Sequence, residues 1–390
     1  MDRPGPAETA MIPRAQTARL TSALPFWAAL LTVPLAVMAM AWGGPAVFLL
    51  PLFTWALFDV LDIVIGTYTE NADPDTPEEE LFWYRLVTLI WFPLQFLLTF
   101  GAIWYVTRAD HLAAWEKIAI FFGQGIVSGA VGIVFAHELM HQRNRLERWL
   151  GDLLLALVLY SHFRSEHLRV HHLHVGTPRD PVTARYNEGF HRFFWRVLRD
   201  CPRSAWAAEA ALLARTGQTM RSLRNPFWLY GALQAGMLAL ALAIGGWEGL
   251  ALFLWQAFVA VWQLELINYI EHYGLTRRYL GEGRYEPVRP HHSWNAAHRA
   301  SNWFLINLQR HSDHHTKPER RFPLLQNHGP DTAPQLPFGY SLSAAIALVP
   351  PLWRRMMNPR VRAWRRHWYP DITDWSPYTG AATPPPRNVA

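Results

Sequence analysis

The sequence predicts an all-α integral membrane protein with six transmembrane helices. Hydrophobic residues make up 51% of the 390 and charged residues 17%, both displaced from soluble averages toward a membrane protein. The apolar residues gather into six runs, roughly 24–42, 45–66, 86–106, 117–136, 226–245 and 248–270, each near the ~20 residues that a helix needs to cross a bilayer core. The runs pair through short links at Gly43-Gly44, residues 107–116 and Gly246-Trp247.

Residues 1–23 form an N-terminal segment in which Arg14 and Arg19 precede the first run. That run is too long for the apolar part of a usual signal peptide, and a second follows almost at once, so it reads as a retained anchor. The three links fall on one side of the membrane. The other side receives the N-terminus, residues 67–85, 137–225 and the tail from 271. Of 36 Lys and Arg, 34 lie on that second side, Arg108 and Lys117 being the exceptions. The positive-inside rule makes it cytoplasmic, in a membrane of the bacterial inner (plasma) type. Per residue the two sides are about equally basic. Residues 24–375 then form one membrane-embedded domain, and the Pro-rich end, 376–390, reads as disordered. A net charge of +6 suits the basic loops of such a protein, and nucleic-acid binding does not fit this many spans. The single cysteine, Cys201, excludes a disulfide framework, a zinc ribbon and an in-chain rubredoxin-type iron centre. Electrons for any redox chemistry must come from another protein.

Nine of the 18 histidines sit in four clusters. They are His137-Glu138-Leu139-Met140-His141, Glu166-His167-Leu168-Arg169-Val170-His171-His172, Glu271-His272 and His311-Ser312-Asp313-His314-His315. His137 lies just past the fourth run and His272 just past the sixth, so all four clusters can meet at the cytoplasmic face. His137 and His141 are i,i+4, as are His167 and His171; His311, His314 and His315 are i, i+3 and i+4. Residues so spaced share a helix face, and each set is expected to aim its imidazoles at one point. A lone histidine is more often core or surface, but three such sets plus Glu271-His272 exceed that reading. Nine imidazoles also exceed one ion, so two ions are expected. Imidazole ligation without thiolate suits iron, copper, nickel or zinc. Two six-coordinate ions offer about 12 positions, and nine histidines leave about three for oxygen or water. A structural zinc would be closed and tetrahedral. The count favours iron.

Glu138, Glu166, Glu271 and Asp313 each adjoin a candidate ligand. They are expected to accept the outer ring N–H of the histidines or to balance the metal charge. His162, His174, His291, His292 and His298 lack the full spacing, and His111 falls on the outer side. Asp59 and Asp62 lie three apart within the second run, where carboxylates are functional candidates. Asp62 is expected to face the site and orient a ligand or water, and Glu265 shares that ambiguity. Arg320-Arg321 and Arg354-Arg355 can attract an acidic donor or hold anionic lipid. His137 to His141 also fits the H-E-x-x-H pattern of zinc proteases, but that reading leaves six clustered histidines unexplained.

The three histidine-rich stretches at 137–141, 166–172 and 308–315 resemble the histidine boxes of the integral-membrane alkane monooxygenases (alkane hydroxylases). Asn268-Tyr269-Ile270-Glu271-His272-Tyr273-Gly274, Pro290-His291-His292-Ser293-Trp294-Asn295 and Thr177-Pro178-Arg179-Asp180-Pro181 resemble further motifs of that family, and the likeness spans roughly residues 25–365. Desaturases and fatty acid hydroxylases share the box spacing but not the 268–274 stretch; xylene and cymene methyl hydroxylases come closer. The resemblance implies a non-haem enzyme with two iron ions held by His137, His141, His167, His171, His172, His272, His311, His314 and His315. It implies hydroxylation of an alkane's terminal methyl with O2 and two electrons from a separate rubredoxin, itself reduced by an NADH-dependent reductase. The substrate would enter from membrane lipid. Trp55, two turns before Asp62 on the same face, would then limit substrate length, with Asp59 beside it in the channel. The first box departs at Gln142, where a basic residue is more usual.

Overall fold

The computed structural model describes residues 11–375 and Tyr378. These residues are mostly helical. Among them the extended elements are two small ribbons, Met11–Ile12 paired parallel with Asn71–Ala72 and Tyr279–Gly281 paired antiparallel with Arg284–Tyr285. The tail expected at 376–390 lies, Tyr378 apart, outside the described residues.

Five helices are long and apolar enough to cross a membrane: Leu20–Trp42, Gly44–Ile65, Glu78–Val106, Ala114–Met140 and Pro226–His272. The first four correspond to the first four expected runs. The last two expected runs fall together in the 47-residue stretch Pro226–His272, which Gly246 interrupts at φ 59°, ψ −153°. Gly43, which ends the first span, adopts the same φ 59°, ψ −153°. This left-handed region costs glycine little and other residues much. At Gly246 the chain folds back on itself. A Cβ on Gly249 would lie 3.0 Å from the Ala241 carbonyl oxygen, whereas a straight helix would hold those residues about 12 Å apart. Asn225 caps the start of this stretch by accepting from Phe227 N at 3.0 Å, with Pro226 at the first helical position, where its missing N–H costs nothing.

The three links meet at one end of the bundle. The Glu116 carboxylate accepts from the Gly44 and Ala113 amides. Arg108 donates to the Ile244 carbonyl at 3.0 Å, and Lys117 pairs with Glu248 at 2.9 Å. His137 and His272 lie toward the opposite ends of their spans.

Ala114–Met140 is the most enclosed span, 83% buried over its apolar window. Its glycines let Pro226–His272 approach closely, as small residues do between membrane helices. A Cβ on Gly125 would lie 2.6 Å from Val259 Cβ and 2.7 Å from the Gln256 carbonyl. Gly125→Ala is therefore expected to cost about 1–3 kcal/mol of stability, read as a lower unfolding midpoint in detergent. Gly231→Ala, which meets nothing within 4 Å, should leave the midpoint close to the parent value.

Beyond the spans, hydrogen bonds and ion pairs of three arginines fix the segments that carry the later histidines. Arg310 is almost fully buried and donates to Asn71 Oδ1 and to the carbonyls of Leu325, Tyr68 and Glu70. Arg321 pairs with Glu147 at 2.8 Å and Glu78 at 3.0 Å. Arg320 pairs with Asp313 at 2.6 Å. Arg320 and Arg321, read from the sequence as cations open to a partner, are thus engaged within the protein. A buried charge left without its partner is expensive, so these pairs hold the 308–326 stretch against 68–85 and Arg145–Leu157.

Candidate metal centre

The structure brings all nine clustered histidines together, in two groups. His137, His141, His167, His172 and His314 offer ligand atoms within 4.8 Å of one another, and His171, His272, His311 and His315 do the same. The groups adjoin, with the His172 and His315 ring centroids 4.8 Å apart. Neither group contains a carboxylate.

The partition departs from simple helical spacing. His137 and His141 share a group, as i,i+4 neighbours should. The second box does not stay together. Residues 167–171 form a π-helical turn, the wider i,i+5 geometry that often marks functional sites. It brings His172 Nε2 within 2.9 Å of His167 Nε2 and turns His171 toward His272 and His315. The third box divides too, His311 and His315 facing one group and His314 the other. The expectation that each box converges on a single point is corrected here: the second and third boxes each serve both groups.

The spacing of the nitrogens fits shared ions. His167 Nε2 has His137 Nε2 and His172 Nε2 each at 2.9 Å. His311 Nε2 has His272 Nε2 and His315 Nε2 each at 3.0 Å. A neutral imidazole nitrogen either donates one hydrogen bond or accepts one, so it cannot satisfy two such neighbours. Two nitrogens about 2.1 Å from one ion stand about 3.0 Å apart at a right angle and about 3.4 Å apart at the tetrahedral angle. These four distances match the right angle, and the 3.3 Å between His172 Nε2 and His141 Nε2 lies nearer the tetrahedral value. His171 Nε2 and His314 Nε2 are buried with no hydrogen-bond partner, a costly state that a bound cation relieves. Burial first, then repulsion between imidazoles, holds His167, His172, His311, His314 and His315 well below the ordinary histidine range. Their lone pairs are free at neutral pH. Five imidazoles in one group exceed a tetrahedral zinc, and the donor set suits iron.

Comparison with known proteins follows the same line. The fatty acid desaturase family model matches residues 113–343. Alkane 1-monooxygenase 2 of Pseudomonas aeruginosa is 39% identical over 317 residues, 80% of this chain and 82% of that protein. Alkane 1-monooxygenase 2 of Alcanivorax borkumensis is 38% identical over 316 residues, 80% and 82% of the two chains. The chain belongs to the alkane 1-monooxygenase family. The xylene/toluene monooxygenase hydroxylase component of Pseudomonas putida is also similar, 28% identical over 61% of this chain and 63% of that protein.

In this alkane 1-monooxygenase family member, the expected carboxylates are distributed unevenly around the imidazoles. Glu271 Oε1 lies 3.3 Å from His311 Nδ1. Glu138 instead accepts from Gln142 Nε2 at 3.1 Å, with Arg321 4.0 Å away. Asp313 faces Arg320, the Gln326 amide and His328. Glu166 is buried, with neither oxygen in a hydrogen bond. Asp62 accepts from Ser301 N at 3.0 Å and from the Ser301 hydroxyl, and Asp59 accepts from Leu342 N at 3.1 Å. Both tie the second span to the C-terminal region. Glu265 accepts from Tyr160 at 2.9 Å and Asn268 at 3.1 Å. Trp55 lines an apolar slot and donates to Gln263 Oε1 at 3.2 Å.

Sequence reasoning missed Asp180 as a partner of the centre. Its Oδ2 accepts from His171 Nδ1 at 3.0 Å and from the Thr183 hydroxyl at 2.7 Å, and its Oδ1 from Val182 N at 2.9 Å. The Asp180-Pro181 turn was visible in the sequence, but helical spacing does not reach across it.

Of the outlying histidines, His291 and His292 form a third set with Glu286. Hydrogen bonds link it internally. Arg289 N donates to His292 Nδ1 at 2.9 Å, which fixes the neutral ring's proton on Nε2. That Nε2 lies 2.7 Å from the Tyr369 hydroxyl, which donates to Glu286 and stands 3.1 Å from His291 Nε2. His162, His174 and His298 join none of these groups. His111 Nε2 lies 3.0 Å from the Met40 carbonyl, at the end of the bundle where the links meet.

Proposed function

We propose that this chain is a membrane-bound, non-haem diiron monooxygenase that converts the terminal methyl of a linear alkane to a primary alcohol. The reaction takes O2, two electrons and two protons, and yields the alcohol and water. The observation that carries the reading is the pair of adjoining all-imidazole groups, five and four, at one end of the apolar helices. One iron would sit in each group, held by the histidines named above. Bound iron supplies the oxygen-activating redox chemistry that no side chain offers against an unactivated C–H bond.

The protein's own part is position and dryness. Trp55, Ala130, Val134, Phe304 and Leu308 line a narrow slot of about 40 Å3. Val134 and Leu308 also line a small cavity that reaches His137 and His314. An alkane partitioned in the bilayer would pass along these apolar walls, with Trp55 bounding the far end. Asp180 orients His171 from behind, and the Glu271 carboxylate lies beside His311. With the arms of Pro226–His272 counted separately, the chain crosses the membrane six times. The histidine end then faces the cytoplasm on the positive-inside rule, with residues 24–375 as the catalytic unit in the inner membrane. Cys201, lone and buried, cannot relay electrons as a rubredoxin centre does. A separate rubredoxin and its NADH-dependent reductase would supply them.

The test supplies octane, hexadecane, xylene and a fatty acid to membranes with rubredoxin and its reductase. Primary alcohols from the alkanes are expected; exclusive oxidation of xylene or the fatty acid would contradict the reading. Trp55→Ser lengthens the slot. Each added methylene accommodated is worth about 1 kcal/mol or more, so relative kcat/KM for hexadecane over octane should rise about tenfold. An unchanged ratio would remove Trp55 from the channel.

A further inference from the structure

Away from the apolar slot, a cavity of about 260 Å3 opens beside the metal centre. Four arginines line it: Arg179, Arg185, Arg196 and Arg203. Its two carboxylates are already engaged, Asp180 by His171 and Thr183, and Asp200 by Arg199 at 2.8 Å. Arg196 is matched by Glu188 at 2.7 Å. The other three are poorly matched. The Arg185 guanidinium makes no hydrogen bond or ion pair among the described residues. Arg203 approaches Asp200 only to 3.9 Å, and Arg179 lies over the Tyr285 ring. Burial, followed by repulsion from Arg196, pulls Arg185 below the usual arginine range. Four guanidiniums against the Asp180 and Asp200 carboxylates leave the lining with a net positive charge.

One wall is the helix Phe190–Ala214, whose outer surface carries the residue types of a membrane boundary. Trp195 and Trp206 are exposed and lie about three turns apart on one stripe. Arg192, Arg196, Arg199 and Arg203 recur at three- and four-residue spacing on the adjoining stripe. Tryptophan settles at the headgroup level of a bilayer, and arginine beside it extends toward lipid phosphates. Guanidinium groups are suited to paired hydrogen bonds with phosphate oxygens.

We propose that the cavity walled by Arg179, Arg185 and Arg203 is a phosphate site that seats the headgroup of an anionic phospholipid. The tryptophan stripe is what favours lipid over free phosphate, because it places the cavity's rim at the bilayer surface. The site stands one side chain, Asp180, from His171, yet its occupancy requires no metal.

The test uses the full chain purified in a zwitterionic detergent and follows its unfolding midpoint during titration with phosphatidylglycerol, phosphatidylcholine, inorganic phosphate or poly-glutamate. Phosphatidylglycerol should raise the midpoint above the phosphatidylcholine value, and inorganic phosphate should do so only weakly at millimolar concentration. Each arginine removed deletes charge-assisted bonds, so Arg185→Gln and Arg203→Gln should each weaken apparent phosphatidylglycerol affinity about tenfold, with the lipid-free midpoint unchanged. Arg179→Gln, at an exposed position, provides a variant with little effect on folding. Arg355→Gln, equally basic but elsewhere, should bind as the parent does. Equal response to the two lipids, or loss of affinity in Arg355→Gln matching that in the cavity variants, would overturn the site. A response to inorganic phosphate or poly-glutamate without one to phosphatidylglycerol would overturn the lipid assignment.

Discussion

His171→Ala is expected to abolish alkane hydroxylation and to lower the iron bound per chain. His171 is the ring that the π-helical turn sends to the four-imidazole group, and that group then keeps three. Loss of an outer hydrogen-bond partner alone costs metal sites about 10–100-fold, so removing a ligand should cost more than about 100-fold in turnover. Iron analysis of the purified variant separates this from misfolding. Iron in the five-imidazole group should persist, leaving a ratio nearer one than two. His291→Ala is the contrast. It disturbs the hydrogen-bonded set with Glu286 and Tyr369 and should leave iron content unchanged. Equal iron loss in both variants would contradict the assignment of ligands.

The second large effect is expected at Asp180. Burial works to raise the pKa of this carboxyl, but the His171 ring and the hydrogen bonds from His171 and Thr183 together bring it below the usual carboxylate range. Asp180 is thus held as a carboxylate beside His171 Nδ1, which leaves the ring's unpartnered Nε2 for the four-imidazole group. Asp180→Ala should lower iron affinity or turnover about 10–100-fold. Thr183→Val removes one hydrogen bond to the same carboxylate and should cost much less. An Asp180→Ala protein with parental iron affinity and turnover would show that His171 needs no such support.

Most of the helical framework could be read from the sequence because apolar run length is a local property. The link glycines were legible for the same reason. The reversal between the last two runs was legible at Gly246-Trp247 too; what the pattern could not give was its backbone conformation, the positive φ at Gly246. The nine histidines were legible as a set. Their partition was not, because i,i+4 reasoning assumes an α-helix and residues 167–171 adopt a wider turn. The carboxylates were harder still. Adjacency in sequence suggested Glu138 and Asp313, yet Arg321 lies close to the first and Arg320 pairs with the second. Asp180, reached through a turn at Pro181, holds a ring that no neighbouring carboxylate holds. Asp62 illustrates the same limit, since its partner Ser301 lies in a distant stretch that local pattern cannot connect to the second span.

The most direct test of the central claim is metal analysis of the purified, active protein combined with X-ray absorption at the iron edge. The account predicts two irons per chain, each surrounded by nitrogen and light-atom ligands with no sulfur. A single iron per chain in fully active protein, or zinc in its place, would contradict it.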